Sequence, residues 1–266
     1  MKNAVLIIGA GPYGLHLAKR FSNEGFFVIM STIEEGQIAT IQSLNCFPVY
    51  TKNLHEDGCQ EIHDRTIEVL NNYSLELKYI VHTARFAFYE FTDANPPEDR
   101  MIEMYKINSE SPLLLAKLFV DMNCQFVYTS SGASLGYNKN LLIPAIPEKN
   151  GKKIGTRGLK YYSYTKRKGE EKLYDFFKTN RKLDSLVIIY ISLMFDTNFF
   201  KDINVTTPKG NGWSAERVAN YLVQELFKNK KRIYAGPQAQ LMKRLPSSLI
   251  AILLDRAEKL QLINRN

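Results

Sequence analysis

Tyr162 and Lys166 stand four residues apart in Tyr161-Tyr162-Ser163-Tyr164-Thr165-Lys166. On a helix that spacing stacks two side chains on one face. A cation beside a phenol favours phenolate, and so lowers a pKa that otherwise lies near ~10. A phenol tuned in this way can give or take a proton near neutrality. The spacing recurs at Tyr164 and Lys168, so the pair alone does not say which tyrosine would act.

The elements that must position such a pair begin at the N-terminus. The apolar run Ala4-Val5-Leu6-Ile7-Ile8 ends in Gly9-Ala10-Gly11-Pro12-Tyr13-Gly14, after which Leu15, Leu17, Ala18 and Phe21 recur at helical spacing. Strand, glycine turn and helix together give G-x-G-x-x-G its meaning. Gly9 permits the tight turn, Gly11 lets backbone approach a pyrophosphate, and Gly14 lets helix and strand pack closely, with the helix N-terminus facing the phosphates. The turn as a whole, Pro12 and Tyr13 included, is a candidate cradle for a dinucleotide. A second strand, Phe26 to Met30, leads to Ser31 and Thr32, where a ribose-reading residue would sit. An NAD-selective site usually places a carboxylate there. Its absence leaves NADP(H) slightly favoured over NAD(H), although Glu34 and Glu35 follow closely and no arginine does.

Further strands are expected at 47–50, 77–84, 125–129 and 186–191 and a short strand and turn at 231–237, with helices at about 37–45, 58–71, 98–122 and 215–228 and one carrying Tyr162 through Phe177. Thr83 and Ala84 end the fourth strand with small side chains that leave room for a ligand in the crevice. Pro112 should kink its helix or mark a restart. Ser214 is a good N-cap for the helix that follows. Strands alternating with helices predict an α/β, Rossmann-like doubly wound parallel sheet of about seven strands, in a single domain over 1–266. Substrate loops are expected at about 135–160 and 195–213, where Gly, Pro and polar residues gather, and a leucine-rich helical tail from about 238.

The composition sets bounds. At 266 residues with 45% hydrophobic content the chain can bury a real core. It has no apolar run of about 18 residues and no leader-like start, which predicts a soluble protein without stable membrane insertion. The net charge of +8 comes from dispersed lysines without a nucleic-acid motif, so no nucleic-acid partner is expected. Three cysteines lack metal-ligand spacing and cannot all pair, and a reducing cytoplasm is the simplest setting. The four histidines form no ligand set, so no metal is expected; His82, at a strand end, reads as a hydrogen-bonded structural residue. Trp213 is placed either over the substrate or in the core.

Several of these residues, in this order, resemble the short-chain dehydrogenase/reductase superfamily along nearly the whole chain. They are the glycine turn at 9–14, Asn108 in Ile-Asn before an apolar helix, Thr-Ser-Ser-Gly at 129–132 and Tyr162-x-x-x-Lys166. The resemblance implies that Ser131 holds a substrate oxygen and that Tyr162 exchanges its proton. It further implies that Lys166 binds the nicotinamide ribose and lowers the tyrosine's pKa, and that Asn108 anchors a water in the proton relay. Lys166-x-x-Gly169-Glu170 matches a family pattern only if Lys166 is the active lysine, which selects Tyr162 over Tyr164. Asn53-Leu54 stands where the family often carries Asp-Leu against the adenine. The chain departs from the common members in its glycine spacing, in Val81-His82-Thr83-Ala84 after the fourth strand, and in Ser192-Leu193 after the sixth. It is similar, then, to divergent members.

The function these readings imply is an NAD(P)(H)-dependent oxidoreductase acting on a small carbonyl or alcohol, with a homo-oligomer expected from the resemblance. Two other readings compete. One is a non-enzymatic NAD(P)-binding sensor or interaction protein, and the other a sugar-nucleotide epimerase or dehydratase with bound NAD.

Overall fold

A computed structural model describes residues 1–87, 98–136, 158–192, 194, 196, 212–250, 252 and 253. Most of the two expected substrate loops, and the tail beyond 253, lie outside these residues.

Seven strands, β1 (Lys2–Ile8), β2 (Phe27–Thr32), β3 (Phe47–Tyr50), β4 (Leu75–His82), β5 (Gln125–Ser131), β6 (Leu186–Ile191) and β7 (Arg232–Ala235), form one sheet in the order β3-β2-β1-β4-β5-β6-β7. All pairings are parallel. Parallel sheets are covered on both faces, and the strands are accordingly apolar throughout rather than alternating. Leu6, Ile8, Phe126, Tyr128, Ile188 and Tyr190 pack toward one helical layer. Val5, Ile7, Val127, Val187 and Ile189 pack toward the other.

The first layer holds α3 (Glu56–Asn72), α4 (Glu98–Tyr105), α5 (Ser111–Leu118) and α6 (Gly158–Thr179). The second holds α1 (Pro12–Asn23), the short α2 (Ile38–Ser43) and α7 (Ala215–Phe227). Strand order reverses between β1 and β4, and the crevice at their carboxyl ends is where such sheets bind ligands. Ser214 caps α7 as expected, accepting from the Arg217 N–H at 3.1 Å, and Asp196 accepts from the Ala215 N–H at 2.7 Å.

Two expected helices differ from the structure. The span 98–122 is broken into α4, a π-helical stretch over Lys106–Glu110, and α5, with Pro112 in the first turn of α5. Proline has no N–H for the carbonyl four residues earlier, here Asn108, so the α-helical ladder cannot run through this point. The tail is also not one continuous helix from 238: α8 (Pro237–Met242) gives way to a turn, and helix resumes at 247–250. A residue before proline is disfavoured in the helical region, here Leu245, and the Pro246 carbonyl opens the next turn by accepting from the Ile250 N–H at 3.1 Å.

Candidate active site

The glycine turn sits at the switch point between β1 and β4. Gly9 has φ +106°, in the region glycine adopts without strain. A Cβ on Gly14 would lie 2.1 Å from the Gly9 carbonyl oxygen, so only glycine lets α1 start this close to β1. Thr83 braces the turn from below: its hydroxyl donates to the Ile8 carbonyl at 2.8 Å and lies 2.9 Å from that of Gly9. The N–H groups of Thr83 and Ala84 both reach the Ile8 carbonyl, at 2.9 and 2.8 Å. Thr83 and Ala84 thus lie in the crevice as expected from the strand end, with the Thr83 hydroxyl committed to the turn.

A dinucleotide fits this cradle. Gly11 is exposed and a Cβ there would meet nothing within 4 Å, so open space lies before the turn. No side chain caps α1, which leaves first-turn N–H groups for an anion. Pro12 occupies the first turn, where a missing N–H costs nothing. Tyr13 behaves differently: its ring is buried in the core with α7, and its buried hydroxyl faces the Thr129 side chain near the end of β5. Burial pushes this phenol far up.

At the ribose edge the Thr32 hydroxyl is already occupied by structure. Ser31 is buried, and its carbonyl accepts from Gly9 N at 3.2 Å. Thr32 donates to Gln37 Oε1 at 2.8 Å and accepts from Glu34 N at 3.0 Å, while Gln37 Nε2 donates to the exposed Glu34 carboxylate at 2.9 Å. Asn53 is likewise engaged: its Oδ1 accepts from His55 N at 2.8 Å and its Nδ2 donates to Asp57 at 3.1 Å, a local turn that opens α3. Leu54 is buried in the core beneath it.

The remaining candidates lie on the π-helical stretch, the end of β5 and α6. Asn108, in the π-helical stretch, is fully buried; its Oδ1 accepts from Phe86 N at 3.1 Å, and its Nδ2 donates to Phe86 O at 2.8 Å and Thr165 Oγ1 at 3.1 Å. The same residue's backbone carbonyl accepts from the Tyr128 hydroxyl at 2.6 Å. Asn108 therefore clips the segment after β4 to α6. Ser131, at the end of β5, is half-buried, and its hydroxyl accepts from Ala133 N at 3.2 Å.

Tyr162 and Lys166 are both buried, the lysine at 1% exposure. Lys166 Nζ donates to the Thr129 carbonyl at 3.0 Å, one residue beyond the last pairing of β5 with β4, and lies 5.1 Å over the Tyr128 ring. Burial, then the nearby Arg85, brings this ammonium down to about 7, with Glu170 acting the other way. Tyr164 and Lys168 turn elsewhere: Tyr164 stacks with Tyr105 at 6.2 Å, and Lys168 pairs with Glu171 at 2.8 Å.

The electrostatics correct one expectation. Burial raises the Tyr162 phenol, and the cation that opposes the rise is Arg85 rather than Lys166. The physical reason is that Lys166 is itself desolvated and drawn to Thr129. Sequence reasoning missed Arg85, although a charged residue directly after Thr83-Ala84 at a parallel strand's end was the available signal. It also did not foresee the role of Glu170, a carboxylate at 3% exposure that gathers Ser130, Ser134 (2.6 Å), Tyr190 (3.1 Å) and Arg167 (3.0 Å). That hub fixes the ends of β5 and β6 against α6. His82 is fully buried with Nε2 3.3 Å from Ser111 Oγ. Burial, reinforced by Lys166, lowers its imidazole to about 3, so it is neutral at pH 7.

No protein-family model and no curated protein matches the sequence. Solved structures do match the fold. A short-chain dehydrogenase from Sphingobium yanoikuyae in complex with NADPH superposes with TM-score 0.67 at 11% identity, over 96% of this chain and 93% of that one. One from Streptomyces avermitilis gives TM-score 0.65 at 14% identity, over 99% and 98%. BdcA in complex with NADPH gives TM-score 0.60 at 16% identity, over 90% and 93%. The chain has the short-chain dehydrogenase fold.

Proposed function

We propose that this chain is a divergent short-chain dehydrogenase/reductase, an NAD(P)(H)-dependent oxidoreductase acting on a small carbonyl or alcohol. The observation that carries the reading is a buried Tyr162 one helical turn from a buried Lys166, near neutral pKa and bonded to the Thr129 carbonyl close to the end of β5, together with an open glycine cradle at the switch point. A sensor has no physical need for a desolvated lysine held at its own expense.

In this reading the backbone of Gly9, Gly11, Pro12, Tyr13 and Gly14 holds the diphosphate, and Thr83 and Ala84 line the crevice beside it. A bound nicotinamide would supply or accept the hydride. Ser131 orients the substrate oxygen, and Tyr162 passes a proton to or from it. Arg85 supplies positive charge beside the phenol and Lys166 contacts the ribose. Support for NADP(H) comes from the absence of a carboxylate at Ser31 or Thr32 and from the NADPH-bound structural neighbours. The Glu34 carboxylate at the same edge works against it, so the preference is slight. Working as a homo-oligomer belongs to the same proposal.

Among the described residues no helix is long and apolar enough to cross a membrane.

The test is turnover of Y162F. With a panel of aldehydes and ketones, wild type should oxidise NADPH or NADH. Y162F should lose at least about 100-fold in turnover while binding nucleotide as tightly as wild type. Equal turnover in the variant would overturn the mechanism.

A further inference from the structure

Lys166 is seated in an unusual way for a buried ammonium. Within the described residues it makes one hydrogen bond, to the Thr129 carbonyl at 3.0 Å, and its other close partner is the face of the Tyr128 ring at 5.1 Å. An aromatic face attracts a cation most when water is excluded, and both side chains are below 2% exposure.

The ring is itself held by a chain of local causes. Pro112 has no N–H to offer the Asn108 carbonyl, and the π-helical stretch leaves that carbonyl facing the sheet. The Tyr128 hydroxyl takes it at 2.6 Å and also lies 3.4 Å from the Lys166 carbonyl. Gly169 makes the approach possible, since a Cβ there would lie 2.5 Å from both the Asn108 carbonyl oxygen and the Tyr128 hydroxyl. One phenol thus ties β5, the π-helical stretch and α6 together at the point where the lysine emerges.

We propose that Tyr128 is the positioning residue of the site, its ring face seating the Lys166 ammonium and its hydroxyl locking the Asn108 carbonyl against α6. The catalytic meaning of that seat rests on the function proposed above; the seat itself does not. Tyr128 does this as a neutral phenol, because burial first and then Glu170 push its ionisation far up. The other titratable groups facing Lys166 are His82 on β4 and Arg85 just after it, and Tyr162 and Glu170 on α6. His82 is neutral, so the charges that compete with the ring are Arg85 and Glu170.

The experiment is a pH titration of the Lys166 side chain by NMR in 13C-lysine-labelled protein free of nucleotide, with the signal assigned through K166M. In wild type the midpoint should lie near 7. Y128F keeps the ring and should keep that midpoint while melting several degrees lower. Y128L removes the ring face that favours the charged form, so its midpoint should fall by about one unit, a tenfold change. Pentafluorophenylalanine at position 128 keeps the shape of Phe but reverses the ring's electrostatics, and should lower the midpoint even where Y128L does not fold. Folded variants that titrate like wild type, with either replacement, would overturn the proposal. Failure of the dinucleotide reading would show instead as absent NADPH and NADH binding, with this titration unchanged.

Discussion

Lys166 and Glu170 lie one turn apart on α6, both buried, and the protein treats them in opposite ways. Glu170 receives donors from Ser130, Ser134, Tyr190 and Arg167, the last at 3.0 Å and opposite in charge. Lys166 has a carbonyl and a ring face, and desolvation has taken its ammonium down to about 7. A carboxylate so fully satisfied is a fastener. A cation so sparsely satisfied is held ready for something else, and strongly perturbed groups beside a cleft are where function concentrates.

The sharpest way to break the comparison is to remove each charge. Replacing Glu170 by Ala leaves Arg167 without its closest carboxylate and the buried Tyr190 hydroxyl without its acceptor, while Ser134 keeps the Ser131 carbonyl at 2.7 Å. Arg167 is 39% exposed and keeps Glu171 at 3.4 Å, so the loss comes mainly from buried hydroxyls left short of an acceptor, and calorimetric melting should show about 1 to 3 kcal/mol. Replacing Lys166 by Met removes a poorly compensated buried charge, so stability at pH 7 should stay within about 1 kcal/mol of wild type or exceed it. Turnover should nonetheless be lost. A K166M protein as unstable as E170A would show that the two charges do the same work.

The same lysine gives a smaller, signed effect with pH. Unfolded, it keeps its proton up to its ordinary 10.5, and folded it releases the proton near 7. Between those values the unfolded chain binds more protons, so stability should rise with pH across the window. The slope contributed by Lys166 is at most about 1.4 kcal/mol per pH unit. Denaturant melts of wild type should carry this term and those of K166M should lack it.

Most of the frame was legible because its causes are local in sequence. The run Ala4 to Ile8 entering Gly9 and Gly14, the Ser214 cap and the break at Pro112 each carry their structural reason within a few residues. Pro246 was an equally local signal, and the expectation of a helix from 238 did not use it. The site was legible only in part. Tyr162, Lys166, Ser131 and Asn108 stand out by type and order, but what they touch depends on how β5, α6 and the π-helical stretch meet. Nothing near Tyr128 in sequence announces that its hydroxyl ends on Asn108 or that Gly169 clears the way. Arg85 is similar: its position was visible, and its reach toward Tyr162 is a matter of packing. The Thr32 hydroxyl shows the converse, since chemistry that looked free for a ribose is spent on the turn.

The central claim is that the glycine cradle holds a nicotinamide dinucleotide, and calorimetric titration of purified, nucleotide-free protein with NADPH and NADH in parallel tests it most directly. The expected result is saturable one-to-one binding, slightly tighter for NADPH, that is weakened by a side chain introduced at Gly14. Absence of binding by both nucleotides to folded protein would contradict the account and leave Tyr162 and Lys166 without a reaction to serve.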